Sequence, residues 1–206
     1  MCDLLLKGFD VKKIYYFTAN VKSPPHDEGQ AARQQAYFRA LRFNPRVDIV
    51  ESTFLAKNVY MPIFPWRYEQ NGEPAKVKVK HYKEKGSDVN MATQMLIDAH
   101  AAACDAQFVL TADSDLVMPV TYLKSIGKTV GLILPGEKDS KEIKRAAEPL
   151  VYRIRQNILA ASQYPDILKD SKGEFNKPTK WKKTETPTEV GVSRPATEAT
   201  GDVAEE

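Results

Sequence analysis

The residues best suited to chemistry are two aspartates, Asp113 and Asp115, which flank Ser114 directly after the apolar segment FVLTA. Carboxylates this close raise each other's pKa and oppose folding, and a divalent cation bound between them removes that cost. Mg²⁺ or Mn²⁺ is the expected ion, because zinc more often takes His or Cys ligands. The same residues are equally explained as a cap, through Ser114 or Asp115, for a helix that begins near Leu116. The motif alone leaves both interpretations open.

A third acidic residue, Asp88, stands in the segment KEKGSDVN at the start of a predicted helix. Taken singly, it is explained by the preference of carboxylates for helix N-termini. That helix leads to the strand at Phe108, however, and its antiparallel return brings its start to the carboxyl end of the strand. We therefore expect Asp88, Asp113 and Asp115 to meet at one edge of a sheet. Three such carboxylates suit one or two metal ions that support phosphodiester hydrolysis.

Five lysines lead into this acidic region. They are Lys76, Lys78, Lys80, Lys83 and Lys85. An alternating lysine face beside a metal site attracts a phosphate backbone, and Lys83 and Lys85, nearest to Asp88, are the candidates for substrate binding. Lysines equally protect an exposed edge strand against aggregation. The three histidines fit no catalytic arrangement and are expected to be structural or surface residues.

The elements that must position these residues alternate between strands and helices. Strand patterns cover residues 11–19, 47–51, 108–112 and 129–134, a lysine-bearing hairpin or arm pairs 53–61 with 76–82, and helical spacing covers 28–43, 89–104, 120–126 and 140–162. Strand, helix and strand joined by short loops imply right-handed crossovers and a mainly parallel sheet. The sequence therefore predicts a three-layer α/β fold with its site at the carboxyl ends of the strands.

Composition limits the organisation of the chain. Its 206 residues are 42% hydrophobic and 28% charged, which predicts a folded domain over residues 1–170. Residues 171–206 are rich in Thr, Pro, Glu and Lys and are expected to form a mostly disordered tail. No apolar run approaches the roughly 20 residues of a membrane span, and no secretory leader is recognised. We therefore expect no membrane partner. The two cysteines form neither a disulfide framework nor a zinc site alone, which fits a reducing compartment, so we expect a cytoplasmic protein.

Several segments together resemble the NYN domain family of PIN-like nucleases, in its LabA-type branch. They are EKGSDVN, ML-x-DA, ADSDLVMPV and IGKTVGLILP, and the likeness extends over about residues 11–181 through YYFTANV, QQAYFRAL, SQYPDIL and KP-x-x-W. The resemblance implies a parallel sheet flanked by helices and magnesium-dependent cleavage of RNA. It also implies metal-coordinating positions for Asp88, Asp113 and Asp115, with Ser114 and Asn90 as supporting polar groups.

One departure from that family concerns the start of the chain. Its members open with a central strand ending in D-G-x-N, whose Asp is a metal ligand, and no such segment precedes Leu4. Asp3 is interpreted as the N-cap of a short helix instead. Without a central strand, its two neighbours would have unpaired backbone groups. We therefore expect Met1 to be an internal start, with the full-length protein extending upstream of it. A chain that begins at Met1 is expected to bind metal weakly, cleave little and associate with copies of itself as a homo-oligomer.

Three functions remain to be weighed. The leading one is a Mg²⁺- or Mn²⁺-dependent ribonuclease in which the three aspartates hold the metal and the lysine arm guides RNA. The second is a catalytically silent RNA-binding or regulatory module that retains the nuclease scaffold but lacks one ligand. A nucleotide-sugar transferase that uses D-x-D for manganese is disfavoured, because nothing else in the sequence marks a sugar-nucleotide pocket. The α/β fold alone does not choose among them.

Overall fold

The computed structural model describes residues 1–137 and 140–182 of the chain. Helices and strands alternate along it, as the sequence predicts. In chain order they are α1 (Cys2–Leu5), β1 (Ile14–Ala19), α2 (Gln30–Leu41), β2 (Val47–Pro62), β3 (Lys76–Lys85), α3 (Ser87–His100), β4 (Ala106–Leu110), α4 (Val117–Ser125), β5 (Thr129–Leu134), α5 (Lys141–Ala147), β6 (Val151–Arg153), α6 (Gln156–Ala161), β7 (Ile167–Asp170) and β8 (Gly173–Asn176). Short 3-10 helices lie at Ser114–Leu116 and Thr179–Trp181. The α/β class is confirmed.

The first sheet has the order β1-β2-β3. Strands β1 and β2 run parallel, from the pair Ile14 and Val47 to the pair Ala19 and Ser52, with α2 as their crossover. Beyond Ser52, β2 continues as a two-stranded antiparallel arm with β3, which confirms the predicted hairpin. Residues 47–52 of β2 pair with β1, and residues 53–62 pair with β3. The arm therefore extends well beyond the parallel part of the sheet.

The second sheet has the order β4-β5-β6 and is entirely parallel. Helices α4 and α5 pack on β5, and their side chains form the main core with those of the strand. Gly131 of β5 allows a close approach, since a Cβ there would lie 2.4 Å from the ring of Phe108. The core is therefore concentrated around β5, of which every residue after Thr129 is buried.

The inner edges of the two sheets are open among the described residues. Strand β1 pairs only with β2, and β4 pairs only with β5, so the expected single sheet is two sheets of three strands. Helix α3 packs on both: it contacts β1, and its buried Met95 and Ala99 join the core around Val109 of β4.

The predicted last helix over residues 140–162 is wrong. The chain there forms α5, then β6, then α6. Pro149 explains the interruption, because a proline disfavours helical geometry in the residue before it. Glu148 accordingly has an extended ψ of 143°. The β-branched and aromatic residues that follow, Val151 and Tyr152, then pair with β5.

The segment that we expected to begin a disordered tail at residue 171 contains regular structure. Strands β7 and β8 form an antiparallel hairpin, which α2 holds through Arg39. The Arg39 guanidinium donates to both carboxylate oxygens of Asp170, at 2.8 and 2.6 Å, and lies 4.0 Å from the ring centroid of Phe175. The remainder of the predicted tail, 183–206, lies outside the described residues.

Asp3 is not the helix cap that the sequence suggested. It lies inside the first turn of α1, and Met1 occupies the cap position. Its carboxylate instead accepts two hydrogen bonds of 2.8 Å from the guanidinium of Arg46, which precedes β2. In the portion of the chain that the structure covers, no helix combines the length and apolarity needed to traverse a bilayer.

Candidate functional site

Asp88 is placed by a tight turn between β3 and α3. Gly86 joins the two elements with a φ of +103°, a left-handed conformation that favours glycine. Helix α3 begins at once, and the backbone N–H of Asn90 donates to the carbonyl of Gly86 at 2.8 Å. Asp88 therefore lies exposed in the first helical turn, at the end of the arm.

Asp113 and Asp115 are placed by the loop that follows β4. The backbone N–H of Asp113 donates to Thr111 Oγ1, and Asp113 Oδ1 accepts from the backbone N–H of Asp115, each at 3.0 Å. Asp113 is thus the cap of the 3-10 helix, a role that we had assigned to Ser114 or Asp115. Leu116 is buried in the core and fixes the other side of this turn. Ser114 and both aspartates are exposed.

The three aspartates interact electrostatically across these two elements. Helix α3 packs against the 3-10 helix. Partial burial raises the pKa of the Asp88 carboxyl, and the nearby charges of Asp113, Glu84 and Asp115 raise it further. The structure therefore brings the start of α3 and the loop after β4 to one edge of the fold, where their negative charges repel.

The donor set at this edge suits a hard divalent cation. Carboxylate oxygens are the preferred ligands of Mg²⁺ and also suit Mn²⁺. Across residues 1–137 and 140–182, however, no three acidic, His or Cys side chains are already arranged to hold an ion. The carboxylates of this edge are suitable ligands for such a metal. The described side chains do not, however, already form a complete set of ligands around one point.

Two polar contacts next to these aspartates were missed from the sequence. Asn90 Nδ2 donates to Ser52 Oγ at 3.1 Å and so ties the start of α3 to the carboxyl end of the parallel part of β2. Glu84 is a fourth carboxylate near Asp88, and the hydroxyl of Ser87 donates to it. The position of Glu84 four residues before Asp88 was the available signal. No sequence pattern indicated Ser52, because its hydrogen bond with Asn90 joins two elements that only the fold brings together.

The lysines of β3 lie on two faces of the arm. Side chains alternate along a strand, so Lys76, Lys78 and Lys80 share one face. Lys83 and Lys85 lie on the other, and both are exposed. The expectation of a single lysine face is therefore correct only for the outer three. The two candidate substrate-binding lysines are nevertheless the nearest in sequence to Asp88.

An apolar cavity lies elsewhere, between α2 and the C-terminal hairpin. Its volume is about 290 Å³, and its walls include Tyr37, Tyr164, Phe175 and Trp181. None of the predicted site residues contributes to it. Its position is explained by the packing of the β7–β8 hairpin on α2, and it takes no part in the carboxylate site.

Comparison with known proteins supports one family. The NYN domain matches residues 6–155, which include all the predicted site residues. A curated protein, 6-hydroxy-3-succinoylpyridine 3-monooxygenase HspA of Pseudomonas putida (strain DSM 28022 / S16), is 24% identical over 178 residues. That alignment covers 82% of the chain and 57% of the length of the relative. No solved structure gives a significant match.

Proposed function

Because the chain belongs to the NYN domain family, we propose that it is a divalent-metal-dependent ribonuclease that hydrolyses RNA phosphodiester bonds. The observation that carries this proposal is that α3, which bears Asp88, packs against the 3-10 helix that bears Asp115 and is capped by Asp113, near enough for their charges to raise the pKa of Asp88. Carboxylates that repel one another at the edge of a sheet are stabilised by a bound cation. NYN and PIN-like nucleases generally use such cations, and RNA is their general substrate.

In this proposal Asp88, Asp113 and Asp115 hold Mg²⁺ or Mn²⁺. The bound ion supplies an activated water and stabilises the negative charge that develops on the phosphoryl group. Asn90 is a positioning residue, because its amide fixes the first turn of α3 on Ser52.

The remaining residues of the edge orient the loop and attract the substrate. Asp113 uses one oxygen to hold the backbone N–H of Asp115, so the loop keeps its shape while the other oxygen remains available. Ser114 lies exposed between the two aspartates and is a supporting polar group. Lys83 and Lys85 are exposed cations just before α3, and they attract the phosphate backbone of RNA toward the carboxylates.

The oxygenase activity named for the relative is not carried over. The match is 24% identical and leaves much of that protein uncovered. The second candidate remains a silent RNA-binding module, and the structural observation that favours it is the incomplete coordination group among the described side chains. Such a module would bind RNA with a steep salt dependence and release no metal-dependent product.

Incubation of labelled single-stranded RNA with MgCl₂, and separately with EDTA, tests the proposal. We expect cleavage by the natural chain with magnesium and a loss of at least about a hundredfold in the Asp113→Ala/Asp115→Ala variant, because the metal contributes several kcal/mol to such reactions. Asp10→Ala is the matched control, since Asp10 is exposed and precedes β1, at the opposite end of the strand from the site. Equal cleavage by the double variant and the natural chain would refute the proposal. RNA binding without a product would support the silent module.

A further inference from the structure

The end of the β2–β3 arm exposes four aromatic rings. Tyr60 is 67% exposed, Phe64 83%, Trp66 58% and Tyr68 66%. Isolated exposed apolar residues are common on protein surfaces, but a group of four large rings on one short segment is not. We call residues 60–68 with these rings the aromatic tip.

The backbone of the connection at the tip is ordered by its own hydrogen bonds. Ile63 N–H donates to the carbonyl of Ala75 at 2.9 Å, and Ala75 N–H donates to that of Arg67 at 2.7 Å. Tyr68 and Pro74 form an antiparallel bridge. The rings therefore project from a fixed backbone. A rigid ring loses little conformational entropy when it contacts a partner.

The arm carries a concentrated positive charge between the tip and the carboxylate site. Residues 53–85 contain seven Lys and Arg residues against three Glu residues, a net charge of +4 in a chain whose total is +3. Lysines and rings are interleaved: Lys78 lies directly opposite Tyr60, and Lys80 Nζ lies 5.9 Å from the ring centroid of Tyr82. Such an array is complementary to an anionic chain that also presents flat aromatic groups.

We propose that the arm binds single-stranded RNA, with unpaired bases stacked on the rings of the aromatic tip and the phosphate backbone along the lysines. The inference deepens the proposed ribonuclease function and rests on it for the identity of the ligand. Basic grooves combined with stacking rings are the general means of binding single-stranded nucleic acid. A second copy of the chain fits less well, because lysine is depleted in the cores of protein interfaces and two arms of like charge repel.

The course of β3 gives this binding a direction. The strand runs from Lys76, which pairs with Pro62 of the tip, to Lys85, and Gly86 then turns directly into the helix that carries Asp88. Its paired length is about 30 Å at 3.3–3.4 Å per residue. RNA held at the tip is therefore led along the arm toward the carboxylates. Because a fully stacked strand rises about 3.4 Å per nucleotide and an extended one rises more, that path spans at most on the order of nine nucleotides.

Binding of labelled, unstructured RNA about 20 nucleotides long, more than the span of the arm, tests the inference in EDTA, so that cleavage is not required. We expect Trp66→Ala to weaken single-strand binding about tenfold and Phe64→Ala/Trp66→Ala/Tyr68→Ala at least about a hundredfold, because a stacked base contributes on that scale. Trp66→Phe keeps a ring and should retain the affinity. Binding of the corresponding duplex, whose bases are already stacked, should not change in the triple variant.

Ile167→Ala is the matched control, because Ile167 is exposed on β7, away from the arm. Circular dichroism and melting temperatures establish that each variant folds. The inference is refuted if the folded triple variant binds single strands like the natural chain, or if the natural chain does not bind them. If the natural chain is a dimer in gel filtration and the triple variant is a monomer with unchanged RNA affinity, the tip binds a second copy of the chain. That result would also refute the inference. If the natural chain cleaves no RNA but binds it through the aromatic tip, the ribonuclease function is rejected and RNA binding by the arm is not.

Discussion

The two three-stranded sheets are stabilised differently. In β4-β5-β6 the central strand is paired on both sides and buried under α4 and α5. In β1-β2-β3 the strands are half-exposed, the sheet ends in a two-stranded arm, and its attachments include ion pairs such as Arg46 with Asp3. Apolar burial stabilises the β4-β5-β6 sheet, whereas backbone hydrogen bonds between strands and ion pairs stabilise the β1-β2-β3 sheet. The candidate site lies where α3 connects them, so it combines a rigid loop after β4 with a charged approach along β3.

The largest expected contrast is in the cost of truncating a side chain. Leu132 of β5 is completely buried, so Leu132→Ala should lower the free energy of unfolding by about 2–5 kcal/mol. Val77→Ala, at a position 47% exposed on the arm, should change it by no more than about 0.5 kcal/mol. Urea denaturation of both variants measures the difference. Comparable losses would show that the arm contributes to the core and would break the distinction.

A smaller effect should follow from acid on the polar attachment of the C-terminal hairpin. The Arg39 guanidinium lowers the pKa of Asp170 to about 2 from an ordinary value of 3.8. A carboxyl whose pKa is lower in the folded state stabilises the fold above the unfolded value and loses that contribution as the pH falls toward the folded one. Melting temperatures should therefore decline from pH 4 to pH 2 less steeply in Asp170→Asn than in the natural chain. The variant should also melt lower at pH 7.

Asp10→Asn is the control for this effect, because the Asp10–Lys12 pair is exposed and exposed pairs contribute little. A decline in melting temperature that is equally steep in Asp170→Asn and the natural chain would contradict the assignment of acid sensitivity to this pair.

The smallest expected effect concerns the charge at the site. Burial and neighbouring carboxylates raise the pKa of Asp88, so its ionisation costs more free energy in the folded protein than in the unfolded chain. Asp88→Asn should slightly raise the melting temperature of the metal-free protein. Millimolar MgCl₂ should raise that of the natural chain but have less effect on the variant. A variant that melts lower without metal would show that Asp88 supports the fold rather than straining it.

Local patterns predicted most of the fold. The β-branched and aromatic runs, the helical spacing and the short connections correctly placed both parallel crossovers and the arm. Residues 140–162 were mispredicted because their helical spacing was followed without regard to Pro149, which ends the helix. The β7–β8 hairpin was missed because its polar composition resembles a tail. Its order depends on Arg39, which is remote in sequence.

The site was predicted in part, because spacing determines which element carries a residue but not its contacts. The sequence predicted that Asp88 lies at the start of α3 and that Asp113 and Asp115 follow β4. Their location at one edge was predicted because α3 runs antiparallel to β4. The roles of Ser52 and Glu84 did not, since the first depends on a contact between elements and the second on the turn at Gly86. Metal coordination, RNA as the substrate and the cytoplasmic location remain predictions.

The bond between Arg39 and Asp170 also bears on the order in which the chain assembles. The two residues are 131 positions apart. Contacts of such large sequence separation require closure of a long loop and form slowly compared with local ones. During synthesis, α2 emerges well before the hairpin that it will hold. We therefore expect the apolar cavity beside α2 to be completed late in folding, when β7 and β8 dock.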